Sequence, residues 1–218
     1  MPDIDTHPEP GISRRSFLTL SGVGLLALLL PRTARAWPVR QAQPRTILDS
    51  IAGTLPLIRR NAWDRSRPIR SRLRFASPYW RITIHHAGTD PFQATSPNAV
   101  ARELSHIVAA HRDRHFGDIA YHLAIDYAGR VWEGRSLSFE GAHVANANVG
   151  NIGILLIGNF ERQYPSNAQL IAMGNLVDIV RAKCRIRPSQ VYGHRDLSPS
   201  MCPGRSLYPY VASLRKTA

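Results

Sequence analysis

The apolar and polar positions of this chain follow two periods, and each period predicts a different kind of element. In residues 79–85, polar residues alternate with β-branched ones, which is typical of a strand. Residues 152–157 are apolar throughout, so we expect a central strand that is buried on both faces. Residues 121–126 and 130–135 predict two more strands, joined by a turn at residues 127–129. These segments together predict a β-sheet.

Two segments between the strands carry apolar residues at helical spacing. Ser96 and Pro97 provide an N-cap and a first-turn proline for a helix that runs to about residue 115, with an apolar stripe of Val100, Leu104, Ile107 and Val108. A second helix is predicted over residues 167–183, with inward positions at Leu170, Met173, Leu176, Val177 and Val180. Strands interspersed with helices predict an α/β fold in which a single mixed β-sheet is flanked by helices.

The first 36 residues have the pattern of a twin-arginine export signal. Arg14 and Arg15 lie in the phrase SRRSFL, an apolar run follows over residues 17–30, and residues 34–36 form a small-x-small cleavage site. The apolar run is shorter than the roughly 20 residues that a membrane span needs, so no stable span is expected. The twin-arginine translocase is therefore an expected partner, and the mature protein is expected to be periplasmic or extracellular. An uncleaved anchor is the alternative.

The rest of the chain is long enough for one domain with a full core. Residues 37–56 are predicted to be a linker or a short N-terminal helix. Prolines interrupt the start of this segment, whereas Ile47, Ile51 and Leu55 recur at helical spacing. Residues 57–218 would form the folded domain. We expect a monomer.

The chain is strongly basic, with a formal net charge of +13 that is carried almost entirely by arginine. Charge alone would permit a nucleic-acid partner. Export separates the protein from nucleic acid, however, and the sequence contains no groove-reading motif, so we expect no such partner. The charge better suits attraction to the carboxylates and phosphates of a cell envelope.

The strongest chemical signal is a set of metal-ligand candidates. His194 and Cys202 lie in GHRDLSPSMCPG, and His85 ends a predicted strand far upstream. Three ligands leave one position open, which suits a hydrolytic zinc better than a structural one. His86 would face the opposite side of the strand. A disulfide between Cys184 and Cys202 is the alternative in an exported protein. Export in the folded state would let zinc reach the thiolate first.

The phrases around these residues resemble the zinc N-acetylmuramoyl-L-alanine amidase family, which includes the peptidoglycan recognition proteins and the phage amidase lysozymes. The resemblance covers residues 57–218 and is strongest in GHRDLSPSMCPG, GDIAYH and GAH. It implies the fold of that family and one Zn²⁺ ion held by His85, His194 and Cys202. It also implies hydrolysis of the amide between N-acetylmuramic acid and L-alanine in peptidoglycan or muropeptides.

The resemblance also implies roles for four residues around the metal. Tyr121 would assist catalysis by stabilising the oxyanion. Ser200 stands where many phage enzymes have a lysine, and it can donate a hydrogen bond without carrying charge. His143 and Asn148 would contact the substrate in the cleft, with His143 at the lactyl group or at the oxyanion. Two rival functions remain, a noncatalytic peptidoglycan-binding protein and an amidase for another amide. Cys202 favours the enzyme, because pure receptors of the family usually lack this cysteine.

A second histidine pair has the spacing of a zincin but not its chemistry. His111 and His115 are four residues apart on a predicted helix. No glutamate follows the first histidine to act as a base, and two arginines lie between the pair, where they would repel a cation. We therefore expect a solvated basic helix face at this position and no metal.

Overall fold

Six strands form one mixed β-sheet in the part of the chain that the structure describes. The structure is a computed structural model, and it describes residues 44–216. In chain order, the strands are β1 Leu57–Ile58, β2 Arg81–His86, β3 Leu123–Ile125, β4 Val131–Glu133, β5 Asn151–Leu156 and β6 Val191–Gly193. Their order across the sheet is β1-β4-β3-β5-β2-β6, and the β3–β4 pair alone among them is antiparallel. The predicted single mixed sheet is confirmed.

Five α-helices accompany this sheet within residues 44–216. They are α1 Pro44–Ala52, α2 Arg60–Trp63, α3 Pro97–Asp113, α4 Asn167–Cys184 and α5 Tyr208–Ser213. Short 3₁₀ helices occupy Arg70–Arg72, Pro188–Gln190 and His194–Asp196. The two predicted helices correspond to α3 and α4, and the predicted central strand corresponds to β5, which is buried at every position.

The two faces of the sheet bury separate hydrophobic clusters. On one face, Ile82 of β2 and Ile154 of β5 pack in a cluster with side chains of α1 and α4, including Ile47 and Leu176. On the other face, residues of β3, β4 and β5 pack against the stripe of α3 in a cluster of Val100, Leu104, Val108, Ile119, Ala124, Trp132, Leu155 and Ile157. His85 pairs in register with Leu155, so it lies on the α3 face.

Helix α3 ends two residues earlier than the sequence predicts, and backbone geometry gives the reason. His115 has a φ of 62°, in the left-handed region that stops a helix. The backbone N–H of Phe116 donates to the carbonyl of His111 at 3.0 Å, and that of His115 donates to Arg112 at 2.8 Å. These two bonds form a Schellman motif. At the other end, Ser96 is the N-cap, but its side chain makes no capping hydrogen bond.

Residues 44–52 form helix α1. The sequence alone permits either a linker or a helix in this segment. Ile47 and Ile51 are fully buried, and Leu55 is buried just beyond the helix. The predicted signal peptide and its twin arginines lie outside the described residues. Within residues 44–216, no helix is both long enough and apolar enough to cross a membrane.

Candidate metal centre and cleft

Parallel pairing of β2 with β6 brings two predicted ligands together. Ile84 of β2 pairs with Gly193 of β6, so the next residues, His85 within β2 and His194 just after β6, lie side by side at the same end of this strand pair. Their ring centroids are 4.7 Å apart. His85 is 1% exposed, whereas His194 is half-buried. The carboxyl ends of two neighbouring strands thus form one wall of the site.

The loop after β6 returns the third predicted ligand to the same place. The backbone N–H of Arg195 donates to the carbonyl of Cys202 at 2.9 Å. The Ser200 hydroxyl accepts from the N–H of Cys202 at 3.1 Å, and Asp196 accepts from the Tyr208 hydroxyl at 2.6 Å. These bonds fix the loop in a shape that brings the Cys202 thiol to the histidines.

The geometry of the three ligand atoms fits a zinc ion. Sγ of Cys202 lies 3.6 Å from Nδ1 of His85, and the ligand atoms of all three residues lie within 4.8 Å of one another. A tetrahedral zinc with ordinary bond lengths separates its nitrogen and sulfur ligands by about 3.6 Å. The backbone N–H of His86 donates to Sγ at 3.3 Å, which stabilises a thiolate. Imidazole and thiolate are also ligands that zinc prefers.

Burial sets the protonation of the three ligands. Burial, with smaller contributions from His143 and His194, holds the pKa of His85 well below its ordinary value. Burial also lowers the pKa of His194. Both imidazoles are therefore neutral near pH 7 and can offer lone pairs to a cation. Burial raises the pKa of the Cys202 thiol to about 12, so a cation that binds there must displace its proton.

The side chain of His86 lies apart from the cluster, as the alternation of the strand predicts. Its Nδ1 accepts a hydrogen bond from the backbone N–H of Phe160 at 3.1 Å. The imidazole of His86 therefore ties β2 to the chain after β5.

A cleft of about 410 Å³ opens beside the cluster. It is lined by His111, Arg114, Phe116, Ala120, Tyr121, Ala142, His143, Ala145, Asn148 and His194. Tyr121, His143, Asn148 and His194 were predicted as site residues from the sequence. The cleft and the ligand cluster share His194, so a molecule in the cleft can reach the metal position.

Tyr121 is half-buried in the lining of the cleft. Its ring centroid lies 5.1 Å from that of His85. Burial, reinforced by the nearby Cys202, raises the pKa of the Tyr121 phenol above its ordinary value. The hydroxyl therefore keeps its proton at neutral pH and can donate a hydrogen bond.

A buried arginine holds the turn that precedes Tyr121. The Arg135 side chain is 3% exposed and donates to the carbonyls of Phe116, Asp118, Ile119 and Glu140 at 2.7–3.2 Å. The backbone N–H of Arg135 also donates to the carbonyl of Tyr121 at 2.8 Å. The position of the tyrosine is thus fixed through its backbone.

His143 and Asn148 belong to one tight loop. Oδ1 of Asn148 accepts from the backbone N–H groups of His143 and Val144 at 2.8 and 2.9 Å. Asn146 in the same loop has a φ of 59°, a left-handed conformation that asparagine tolerates. The Asn148 side chain lines the cleft and also shapes the loop that carries His143.

The structure places Ser200 and Cys184 away from the cleft lining. Ser200 is exposed, and its hydroxyl accepts from the backbone N–H of Cys202. Cys184 and Cys202 are both free thiols, so the disulfide alternative is not formed. Burial raises the pKa of the half-buried Cys184 thiol to about 11.

The prediction of a solvated face at His111 is wrong. His111 is 8% exposed and lines the cleft, whereas His115 is exposed as expected. Nδ1 of His111 accepts from the backbone N–H of Ala120 at 3.0 Å, so its Nε2 carries the proton in the neutral ring. The sequence does contain a signal for this burial. His111 follows Leu104 and Val108 at helical spacing on the apolar stripe of α3.

Comparisons with known proteins agree with this geometry. A family model described as N-acetylmuramoyl-L-alanine amidase matches residues 76–205, more than half of the chain. Peptidoglycan-recognition protein SD of Drosophila simulans is 32% identical over 164 residues, which cover 74% of this chain and 87% of that protein.

Solved structures give the same result. Drosophila PGRP-LB matches with a TM-score of 0.65 and 28% identity, covering 72% of this chain and 92% of that one. A mutant of PGRP-LB has been solved in complex with tracheal cytotoxin. The amidase LysC from Clostridium intestinale matches with a TM-score of 0.60 and covers 73% of this chain and 95% of that one. Its identity is 21%, so it supports the fold alone.

The mixed sheet and its helices therefore define a domain of the class shared by peptidoglycan recognition proteins and type 2 amidases. The chain belongs to the N-acetylmuramoyl-L-alanine amidase family.

Proposed function

We propose that this protein is a zinc-dependent N-acetylmuramoyl-L-alanine amidase. It would hydrolyse the amide between N-acetylmuramic acid and L-alanine in peptidoglycan or muropeptides. The observation that carries this proposal is that the cluster of His85, His194 and Cys202 lies at the same cleft as Tyr121. Three protein ligands leave one coordination position for water and substrate, as in hydrolytic zinc sites.

The substrate class is supported by the family and by charge. The family carries the name of the enzyme that hydrolyses this amide. A mutant of the structural relative PGRP-LB has been solved with tracheal cytotoxin. The chain has a formal net charge of +13, and Arg114 lines the cleft itself. Stem peptides of peptidoglycan carry free carboxylates, which a basic cleft attracts.

The residues of the cleft have complementary roles in this chemistry. Bound zinc would supply Lewis-acid polarisation of the scissile carbonyl and activation of a water. Tyr121 donates a hydrogen bond to the carbonyl oxygen as negative charge develops on it. His111 offers an N–H donor beside Tyr121, because Nδ1 of this ring already accepts from the backbone. Asn148 and Arg114 line the part of the cleft in which the substrate would lie.

Mass spectrometry of muropeptides digested with the purified mature protein tests the proposal. We expect intact peptides to be released from the sugar, this release to stop with a chelator, and zinc to restore it. Bound zinc and bound muropeptide without any hydrolysis would instead support the noncatalytic recognition function. A panel of other amides distinguishes the second rival, an amidase with a different substrate.

The two cysteines provide a matched pair of variants. Cys202→Ser should lose both zinc and hydrolysis, because two remaining ligands hold the metal poorly. Cys184→Ser should keep both, because this thiol lies outside the cluster. Zinc content is measured by atomic emission in parallel with activity. Undiminished hydrolysis by zinc-free Cys202→Ser protein would refute a metal mechanism.

We further propose export through the twin-arginine pathway and action as a monomer outside the cytoplasm. The support is the phrase around Arg14 and Arg15, the apolar run and the small-x-small site. Replacing both arginines with lysine should retain folded protein in the cytoplasm. Unchanged secretion of that variant would mean that another route carries the protein.

A further inference from the structure

His143 joins the ligand cluster to the backbone of the central strand. Nδ1 of His143 lies 3.0 Å from Nε2 of His85, and Nε2 of His143 lies 3.2 Å from the carbonyl oxygen of Asn151. Each of these contacts is a hydrogen bond and needs one donor and one acceptor. A carbonyl oxygen has no proton to give, so the direction of the second bond is certain.

The Asn151 carbonyl therefore determines which nitrogen is protonated, first in the His143 ring and then in the His85 ring. Nε2 of His143 must carry a proton to donate to it, which makes Nδ1 of the neutral ring an acceptor. Nε2 of His85 must then carry a proton to donate to that acceptor. Nδ1 of His85 is left with a free lone pair, and this is the atom that lies 3.6 Å from Sγ of Cys202.

Two glycines make room for this arrangement. A Cβ on Gly153 of β5 would lie 2.4 Å from Cδ2 of His143, and so would a Cβ on Gly141. Both contacts are too short for a side chain, so the His143 ring occupies a notch that only glycine leaves open. The residue is 7% exposed, and both of its ring nitrogens bond within the protein. Neither nitrogen is free for the substrate contact that the sequence predicted.

We propose that His143 is a positioning residue for His85. It selects the tautomer of His85 and holds Nδ1 of that ring towards the metal position, and its contribution is to metal affinity and not to substrate recognition. The inference rests on the zinc site of the proposed function. Partners that hold the second nitrogen of a metal-binding histidine change metal affinity by roughly 10- to 100-fold.

Two amide variants test the two nitrogens of the His143 ring one at a time. In His143→Asn, Oδ1 takes the place of the Nδ1 acceptor, so the bond from His85 is kept. In His143→Gln, the amide NH₂ can reach the Asn151 carbonyl, but the acceptor for His85 is lost. We expect the Asn variant to bind zinc within about threefold of the wild type and the Gln variant to bind at least about tenfold more weakly. The dissociation constant is measured by competition with a chromophoric chelator.

A spectrum and a control variant make this test independent of activity. The ligand-field bands of the Co²⁺-loaded protein should shift in His143→Gln and stay in place in His143→Asn. His106→Gln changes an exposed histidine of α3, and it should leave both zinc affinity and the spectrum unchanged. If the Gln variant does not fold, His143→Ala with added imidazole replaces it, and imidazole should restore zinc affinity.

The possible results have distinct meanings. Equal zinc affinity in the wild type and both amide variants would overturn the inference, and a raised KM in that case would identify His143 as a substrate contact. Equal weakening in both amide variants would also overturn it, because the acceptor for His85 would then be irrelevant. A wild-type protein that binds no zinc would refute the metal site of the proposed function itself.

Discussion

A backbone group assigns the ring protons of four histidines near the proposed metal site, which are His86, His111, His122 and His143. Nδ1 of His122 accepts from the N–H of Gly153 at 3.0 Å, and its Nε2 lies 3.0 Å from the carbonyl of Phe139, to which it donates. His111 and His86 likewise accept from backbone N–H groups through Nδ1. Backbone donors and acceptors cannot rotate or titrate. The proposed metal site therefore lies beside imidazoles that the backbone already holds in one orientation.

Tyr121→Phe tests the proposed hydrogen-bond donor to the oxyanion. The ring and its packing remain, but the donor to the oxyanion is lost. We expect kcat to fall by about 10²-fold, which corresponds to roughly 2.7 kcal/mol of transition-state stabilisation. KM should change little, because the bond strengthens only as charge develops. Steady-state kinetics on a defined muropeptide measure both constants.

Ser200→Ala is the companion variant. Ser200 is exposed, and its hydroxyl accepts from the N–H of Cys202, so the structure favours a role in the loop turn. We therefore expect kcat within about threefold of the wild type for this variant. A loss as large as that of Tyr121→Phe would restore the predicted catalytic role of Ser200. A Tyr121→Phe variant with full turnover and full zinc content would remove the tyrosine from the mechanism.

At the scale of elements, periodicity predicted more of the fold than of the site. Burial of neighbouring residues produces the alternation near His85, the apolar run of β5 and the stripes of α3 and α4. Each of these patterns is therefore visible in a short window of sequence. Strand β6 has only three residues, too few for a pattern, although its pairing with β2 places His194. The lining role of His111 depends on what packs against α3, and sequence spacing alone does not identify that neighbour.

Arg135→Met tests the support of the turn before Tyr121. The variant removes one buried side chain that donates to four carbonyls, and those acceptors would lose their partner. We expect the free energy of unfolding to fall by about 3 kcal/mol or more. Urea denaturation of zinc-free protein measures the change.

The exposed Arg102 on α3 provides the control for this substitution. Arg102→Met removes the same charge from the surface, and it should change stability by no more than about 0.5 kcal/mol. Equal stability of the two variants would show that the buried hydrogen bonds of Arg135 contribute nothing beyond a surface arginine.

At the scale of the whole molecule, the buried histidines make the metal-free protein sensitive to acid. Burial lowers the pKa of His111 and of His122 to about 4, from an ordinary value near 6.5. Between those two values the unfolded chain binds protons at these positions and the folded chain does not. The free energy of unfolding should therefore fall as pH falls from 6.5 to about 4, and this loss should end below that pH.

The size of this pH effect on the free energy of unfolding can be checked at His122. His122 is fully buried, and its shift corresponds to a loss on the order of 3 kcal/mol across that window. Urea unfolding of chelator-treated protein at a series of pH values measures the slope. His122→Gln should make this slope shallower without abolishing it, because His111 still contributes, and the exposed His106→Gln provides the surface control. Stability that does not change with pH in this window would contradict the assignment of neutral buried histidines.

The central claim concerns which bond is broken, and digestion of muropeptides in ¹⁸O-labelled water tests it most directly. Hydrolysis at the proposed amide breaks the bond between the lactyl carbonyl carbon and the nitrogen of L-alanine. The account predicts that mass spectrometry will find ¹⁸O in the new lactyl carboxylate of N-acetylmuramic acid and a free, unlabelled amine on the peptide, in a zinc-dependent reaction. Label in a peptide carboxylate or in a sugar hydroxyl, or no zinc-dependent product at all, would contradict it.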